Sequence, residues 1–385
     1  MTFGIYIHFP FCLAKCGYCD FASCAVEPRS IPHVAYADAV LRELAWRAAD
    51  YAHLALRSIY IGGGTPSLWS PREVGRVVRA ACAACRAADE GIEVTLEVNP
   101  ATIDASGLAR LGDAGVSRLS VGVQSLSDAT LRLLGRIHTA DQARSCVRAA
   151  RDAGMDNLSC DVIFGVPHQT VADHLASLEQ LLELAPQHVS AYALTLSADA
   201  PLRRAGWAAA GDELLAEMMD AGRERLETAG LPQYEVSNFA PPRRRSAHNA
   251  LVWAGDPYLG LGASAHSMIA RGPATLRCAN PPIATYLDAA PERDPAGVPT
   301  VAGATVEEVD EPRSRNEALF LALRTVDGLD RRAYRKRFGA DPVDHFAPGL
   351  SSLQAAGLLS VDETRIAPTR RGIWLADEIA LRLMG

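Results

Sequence analysis

No stretch of the 385 residues approaches the roughly 18 uninterrupted apolar residues that cross a bilayer, so no membrane-spanning helix is expected. The amino terminus, Met1-Thr2-Phe3-Gly4-Ile5-Tyr6-Ile7-His8, lacks a basic region, an apolar run and a cleavage site. No signal peptide is expected there, and the compartment predicted is the cytoplasm. The net charge of −7 is spread without a long block of one sign. A grip on nucleic acid wants a basic surface, so no nucleic-acid partner is predicted. The local exception, Arg243-Arg244-Arg245, lies in a proline-rich loop and reads as a solvated turn. No internal repeat at solenoid periods occurs. The nine cysteines are odd in number and unevenly spaced; without a secretory signal this argues for reduced thiols and metal ligation rather than a disulfide framework. What is left is the balance of a soluble enzyme, 49% hydrophobic and 22% charged residues. The length suits two or three domains and a core that needs no covalent staples.

The first half alternates β-branched runs with amphipathic ones. Strands are predicted over 4–9, 57–61, 92–97, 117–123, 157–164 and 188–195. Helices fill 32–50, a segment from Pro71, and 104–114 closed by Gly115; three more span 127–134, 139–153 and 171–184. Six strands each followed by helix predict an α/β fold with a parallel sheet and right-handed crossovers, closed into a partial six-stranded (β/α) barrel. Continuous runs such as Asp161-Val162-Ile163-Phe164 suit strands buried on both faces. Chemistry in such folds lies at the carboxyl ends of the strands. A further helix is predicted over 212–229, then irregular chain through Ala265, and a proline-rich connector from Pro281 to Pro312. Helices over 313–324, 331–338 and 342–356, a small hairpin over 358–361 and 365–368, and a last helix over 369–383 make a winged-helix-like end. That end lacks a concentrated basic face, so contact with protein rather than DNA is expected. The division predicted is 1–210 barrel, 211–310 extension and connector, and 311–385 carboxyl-terminal domain.

Cys12-x-x-x-Cys16-x-x-Cys19 follows the first strand, in a loop opened by Pro10. Three closely spaced thiolates satisfy three irons of a [4Fe–4S] cubane and leave the fourth free to be chelated by the amino and carboxylate groups of a methionine. One electron from such a cluster cleaves the sulfonium of S-adenosylmethionine and releases a 5′-deoxyadenosyl radical. A zinc site would want a fourth ligand, for which His8 and Cys24 are the nearby candidates; the spacing favours the cluster. Gly62-Gly63-Gly64-Thr65-Pro66 ends the second strand, where glycines let backbone approach a ligand closely. Glu97 ends the third strand, placed as the ribose-binding acid of dinucleotide folds is. Gln124 ends the fourth, Arg136 follows it, and Asp161 lies in the fifth, facing the barrel mouth. Cys82 and Cys85 sit one helical turn apart with no second pair, and read as small apolar side chains.

Seven segments carry a resemblance: Tyr6-Ile-His-Phe-Pro-Phe-Cys12, Cys19-Asp20-Phe21, Gly62-Gly-Gly-Thr-Pro-Ser67, Ser117-Arg-Leu-Ser-Val-Gly-Val-Gln-Ser125, Asp161-Val-Ile-Phe-Gly-Val-Pro167, Tyr234-Glu-Val-Ser-Asn-Phe239 and Gly260-Leu-Gly-Ala-Ser-Ala-His-Ser267. Across almost the whole chain they resemble the oxygen-independent coproporphyrinogen III oxidase-like branch of the radical S-adenosylmethionine superfamily, and within it the heme-chaperone group. The resemblance implies that Cys12, Cys16 and Cys19 ligate the cluster. It implies that Tyr6, Gly63, Gly64, Thr65, Glu97, Gln124, Arg136 and Asp161 line the S-adenosylmethionine site, with Ala193 beside them. The oxidases of this branch carry a further cysteine where this chain has Phe21, and a longer amino-terminal arm; both differences speak against decarboxylase activity. His248-Asn249-Ala250-Leu251-Val252-Trp253 resembles the His-Asn-x-x-Tyr-Trp motif of the chaperone group, with Val252 in place of tyrosine. His248 is then the expected axial ligand for heme and Trp253 its neighbour. A second departure is Ser197, where the family commonly has an acid.

The function implied is a heme carrier that holds the cluster, S-adenosylmethionine and heme and delivers heme to an acceptor apoprotein, with an electron donor. A respiratory acceptor, a transient contact with a membrane protein and a homodimer are arrangements the resemblance allows. The alternatives are oxygen-independent decarboxylation of coproporphyrinogen III and, more remotely, radical opening of the heme ring. Cluster ligation gives the first test: Cys16→Ala should abolish the broad iron–sulfur absorption after anaerobic reconstitution and leave the fold intact. A variant that still assembles a full cluster would refute the assignment.

Overall fold

Hydrophobic alternation with a period of two sets the barrel wall. The computed structural model describes residues 1–384. Its parallel strands are β1 (Thr2–Phe9), β2 (Ala55–Gly63), β3 (Glu93–Val98), β4 (Arg118–Gln124), β5 (Leu158–Phe164) and β6 (His188–Ala193). They lie side by side in chain order. Ile5, Ile7, Ile59, Ile61, Val94, Leu96, Leu119, Val121, Leu158 and Cys160 share one core with Val40, Leu44, Val74, Val77, Leu108, Leu111, Val147 and Leu178 of the surrounding helices. The intervening positions are Tyr6, Ser58, Tyr60, Thr95, Glu97, Arg118, Ser120, Ser159, Asp161, His188 and Ser190. Because successive side chains on a strand point to opposite faces, these polar groups line the inner face. The strands are buried on both faces, as their continuous runs suggest, but the inner face is largely polar. Local capping sets where helices begin: Asp104 accepts the Gly107 amide at 2.7 Å, and Thr139 and Thr170 form capping boxes with Gln142 and Asp173.

The stretch expected to be irregular does more than connect. β7 (Asn238–Phe239) pairs antiparallel with β6, and β8 (Tyr258–Leu261) pairs parallel with β1. β9 (His266–Arg271), β10 (Ala274–Ala279) and β11 (Thr305–Val309) continue the same sheet antiparallel, in the order β11-β10-β9-β8-β1-β2-β3-β4-β5-β6-β7. The predicted connector thus supplies β11, and Pro291–Arg293 pairs with Pro299–Val301. β7 has two residues and β8 four, one of them glycine, too few for a readable periodicity. At Gly260 a Cβ would lie 1.9 Å from the His266 carbonyl oxygen, so the tight return after β8 requires glycine. In the arginine run Arg243 is exposed, as expected of a solvated turn, whereas its two neighbours are paired. Arg244 meets Asp156 at 3.4 Å, and Arg245 meets Asp327 at 2.8 Å and lies over the Tyr234 ring.

A buried polar clamp fastens β8 to helix His33–Arg47. Glu43 and Arg47 are 1% and 2% exposed and pair at 2.6 Å. Arg47 also donates to the Gly260 carbonyl at 3.0 Å and to Ser267 Oγ at 2.8 Å. Glu43 accepts from Tyr286 OH at 2.7 Å, Asn280 Nδ2 at 2.8 Å and the Gly262 amide at 3.0 Å. Every charge here is met by hydrogen bonds, the condition under which a buried ion pair is tolerated.

Residues 311–384 form the winged-helix-like unit predicted. It has helices Glu311–Ala322, Arg331–Phe338 and Pro342–Ala355, a three-stranded sheet of Leu329–Asp330, Arg365–Pro368 and Leu359–Val361, and a final helix Ala376–Met384. It has its own apolar core. It is held to the segment before the barrel's last turn by the Val236 amide donating to the Arg324 carbonyl at 2.8 Å and the Val326 amide to the Tyr234 carbonyl at 3.1 Å. Glu43→Ala should strand Arg47 without a counter-charge and lower stability by about 3–5 kcal/mol, read by denaturant unfolding. Replacing Glu43 and Arg47 together by methionine should lose less than the single change.

Candidate functional site

Chain direction brings the strand ends and the cysteine loop together. Phe11–Cys12 runs on from β1 and pairs with Cys24–Ala25, which closes the loop into a ring of residues between Pro10 and Val26. Within it the Cys19 amide donates to the Cys16 carbonyl at 3.2 Å, and the Gly17 amide to the Leu134 carbonyl at 3.2 Å. Thr65 Oγ1 lies 3.4 Å from Cys12 Sγ, and an Arg136 amino group 3.6 Å from Cys16 Sγ. The loop hangs from His8. Its Nε2 is 2.8 Å from the Ala22 carbonyl oxygen, which can only accept, so Nε2 carries the proton and Nδ1 accepts from Tyr6 OH at 2.9 Å. Both ring nitrogens are engaged, and burial lowers the pKa of the ring. Cys24 Sγ is turned to the Pro10 carbonyl oxygen at 3.6 Å. Neither alternative zinc ligand is free.

A cavity of about 430 Å³ opens above the barrel. Cys12, Cys16, Cys19, Gly63, Gly64, Thr65, Glu97, Gln124, Arg136, Asp161 and Ala193 all line it. The expected residues outside it are Tyr6, His248 and Trp253. Tyr6 lies under the cavity, stacked beside Tyr60 with ring centroids 6.2 Å apart. His248 is 6% exposed and is not on an accessible loop. It sits on helix Ala247–Trp253, its Nδ1 is 2.9 Å from Ser58 Oγ, and its ring lies against Tyr60 at 5.2 Å. Burial pushes its pKa down to about 4. Trp253 is half-buried beneath Arg324. The correction has a plain cause: the helix packs onto β1 and β2 inside the barrel, where Gly4 leaves room for the imidazole.

Each cavity residue is held in its own way. Glu97 accepts from Tyr60 OH at 2.9 Å and from the Gly63 amide at 3.2 Å, while burial pushes its carboxyl up to about 7. Asp161 accepts from Ser120 at 2.8 Å and Ser159 at 2.9 Å; burial raises it and these hydroxyls oppose the shift. Gln124 has φ +60° at a register shift ending β4, strained backbone of the kind found at sites that must aim a side chain. Gly122 makes room for it, since a Cβ there would lie 2.8 Å from Gln124 Nε2. Sequence reasoning missed Gly122, Tyr18, Tyr60, Ser120 and Tyr192; for the four on strands the signal available was the period-two alternation that puts them on the same face as the polar strand residues. The glycine run works differently from expectation. Gly63 has φ +112°, and a Cβ on it would lie 2.6 Å from the His8 ring; one on Gly64 would lie 2.7 Å from the Phe11 carbonyl oxygen. These glycines admit the cysteine loop itself.

The residues fit a cluster with a nucleoside-bearing ligand. Burial above all raises the Cys19 thiol, Cys16 and Cys12 add to this, and a bond from the Phe21 backbone opposes it. Bound iron would supply the charge these thiolates need. Among the described residues no three Cys, His, Asp or Glu side chains surround a point suited to a single ion, whereas a cubane takes one thiolate at each of three irons. Arg136, which lines the cavity, has its Nε buried without a partner, a donor that a bound ligand could satisfy. Cys82 and Cys85 pack partly buried against the main apolar core, as small hydrophobic side chains do.

A model of the radical SAM superfamily matches residues 6–181, and one of the HemN C-terminal domain matches residues 310–375. The heme chaperone HemW of Bacillus subtilis is 30% identical over 99% of this chain and 98% of its own length. The chain belongs to the HemW family of radical SAM proteins. HemW of Haemophilus influenzae is 36% identical over 69% of this chain and 70% of its own. The solved coproporphyrinogen III oxidase HemN of Escherichia coli superposes with a TM-score of 0.79 at 22% identity, covering 99% of this chain and 90% of that one; it shares the fold. Membership of the superfamily implies a [4Fe–4S] cluster and S-adenosylmethionine, the two groups the cavity suits. For a HemW-type site the Gly63–His8 contact has a measurable consequence. Gly63→Val should displace His8, release the Ala22 carbonyl and weaken cluster retention together with S-adenosylmethionine affinity. Loss of affinity alone, with the cluster absorption intact, would show that the side chain meets only ligand.

Proposed function

We propose that this chain is a cytoplasmic heme chaperone that holds a [4Fe–4S] cluster on Cys12, Cys16 and Cys19 and S-adenosylmethionine beside it. It binds heme and hands it to an acceptor apoprotein. The names of its HemW relatives support heme as cargo. The observation that carries the reading is the mouth of the cavity. Phe21 stands at its lip, 59% exposed, at the position where the resemblance gives the oxidases a cysteine. The cavity of about 430 Å³ lies in the size range of small-ligand sites, and with Phe21 exposed at its mouth nothing seals in a second, larger substrate. Abstraction of hydrogen from a propionate needs that sealed, positioned substrate; heme carriage does not.

When bound, the cluster supplies one electron to the sulfonium. The chain's own part is positional. Arg136 places positive charge beside Cys16, Thr65 donates to Cys12 Sγ, and Glu97, Gln124 and Asp161 offer acceptors and donors along the strand ends. Heme is received at the open face, where Phe21 and Tyr192, 59% and 43% exposed, offer aromatic surface. His248, shut beneath Tyr60, is not its ligand in this arrangement. An electron donor and an acceptor are the partners this function requires. A respiratory acceptor would bring transient contact with a membrane protein, and pairing of two copies is compatible with it.

Anaerobic reconstitution followed by heme titration and a coproporphyrinogen III assay on one sample tests the proposal. About one heme per chain is expected, as the single open face at Phe21 and Tyr192 would receive, with no decarboxylation above a cluster-free control. His248→Ala should leave that stoichiometry unchanged. Protoporphyrinogen formation that disappears in Cys16→Ala would make the protein an oxidase instead.

A further inference from the structure

Below the cavity a line of hydrogen bonds crosses the barrel from Asp161 to a helix more than eighty residues away in the chain, and its direction can be deduced atom by atom. Ser159 Oγ donates its single proton to Asp161 Oδ1 at 2.9 Å. The same oxygen lies 2.8 Å from His188 Nδ1, so Nδ1 must carry a proton and donate it. His188 is fully buried, and burial together with the nearby Arg118 charge keeps it neutral. A neutral imidazole has one N–H. Nε2 is therefore bare and accepts from Tyr234 OH at 2.9 Å, while the Tyr234 oxygen receives the Ser246 amide at 3.3 Å. Ser246 caps helix Ala247–Trp253, its Oγ accepting the Asn249 amide at 3.3 Å. Every bond points the same way, from the helix to the carboxylate. Reversing any one would leave two donors or two acceptors face to face.

We infer that His188 is a positioning residue: through Ser159 it orients Asp161 for the S-adenosyl ligand, and through Tyr234 it ties that orientation to the seating of helix Ala247–Trp253. This rests on the reading of the cavity as an S-adenosylmethionine site. Asp161 has Ser120 on Oδ2 and Ser159 on Oδ1, and Ser190 Oγ lies 3.3 Å from Ser159 Oγ and also bonds the carboxylate, so its rotation is set by this group of hydroxyls, of which Ser159 is the one that meets His188. Ser120 has no further partner that fixes its rotor, whereas Ser159 is fixed by His188. A ring whose tautomer is set on one side dictates the donor on the other, the logic by which outer partners orient ligands. The helix at the far end carries the His248-Asn249 motif, which the cavity itself does not use. Displacing that helix would free Tyr234 OH, let His188 change tautomer and turn the Ser159 proton away from Asp161.

Three substitutions at 188 separate orientation from volume. The asparagine amide nitrogen falls near the place of Nδ1 and that of glutamine near Nε2; phenylalanine fills the space and offers neither. On reconstituted full-length protein, calorimetry with S-adenosylmethionine should show about tenfold weaker binding for His188→Phe and His188→Gln, the scale of one hydrogen bond to a charged group. His188→Asn should stay within about threefold of wild type. Tyr234→Phe, which leaves the ring volume at 188 untouched, should also weaken binding, and nitrogen NMR of the cluster-free protein should show His188 losing its pure Nδ1–H form. Iron–sulfur absorption should be equal in all, because the chain of bonds does not touch the cysteine loop. Equal affinity in every variant, equal loss in the asparagine and glutamine variants, or an Nε2–H ring in the wild type would overturn the inference and leave the cavity reading standing. Absence of S-adenosylmethionine binding by the wild type would instead remove the cavity reading, and the inference with it.

Discussion

His8 meets four parts of the molecule, two through its ring and two through its backbone carbonyl. Its Nε2–H holds the Ala22 carbonyl, three residues past Cys19, and its Nδ1 receives Tyr6 OH. Its face is what the missing side chain of Gly63 leaves room for. Its own carbonyl oxygen accepts from Tyr36 OH, whose oxygen in turn takes the Ala263 amide at 3.1 Å. At Gly262, with φ +96°, a Cβ would lie 2.5 Å from that same carbonyl oxygen. The cysteine loop, the glycine run, helix His33–Arg47 and the turn after β8 thus converge on one residue. A neutral ring is required, because a carbonyl and a phenol donor together demand one proton and one lone pair. Burial supplies that neutrality.

The same rule governs the barrel interior. An inner face of serines, tyrosines, histidines and carboxylates would be costly if any member were unmatched. Here most are arranged in directed pairs: Tyr60 to Glu97, Ser120 and Ser159 to Asp161, and Ser58 with His248. Arg118 Nε and Arg136 Nε are among the buried polar atoms left without a partner, donors that a ligand or water would satisfy. Stability comes from the outer, apolar face of the sheet against its helices, and from the Glu43–Arg47 clamp. Chemistry is left to the polar inner face, which contributes little to folding and is free to be specialised.

This division explains how the carboxyl-terminal unit fits in. Its three helices and short sheet have a core of their own. Its attachment runs through Tyr234, Val236 and Arg324, the same segment from which the line of hydrogen bonds to Asp161 starts. Arg223 adds to the attachment by lying over Trp374 at 4.9 Å. Of the arginine run, Arg245 joins this seam through Asp327, while Arg244 pairs with Asp156 of the barrel.

Six strands, their helices and the three cysteines were legible in the residues because local rules set them. Period-two and period-3.6 patterns mark elements, threonine and aspartate caps mark helix starts, and thiols at short spacing can only act near one another. Glu97 and Gln124 were legible because a polar residue closing a β-branched run in a parallel sheet faces the mouth; Asp161 stood out as a lone acid within an apolar run. Other features were not legible: β8 entering beside β1, the use of the glycine run by the protein itself, and the burial of His248. Arg47 reaches Gly260 across 213 positions and Ser58 reaches His248 across 190, and no window of sequence holds both partners. Whether a histidine greets solvent or a barrel interior is decided by which distant backbone leaves space for it. Only the folded chain, through Gly4 and Ser58, makes that choice.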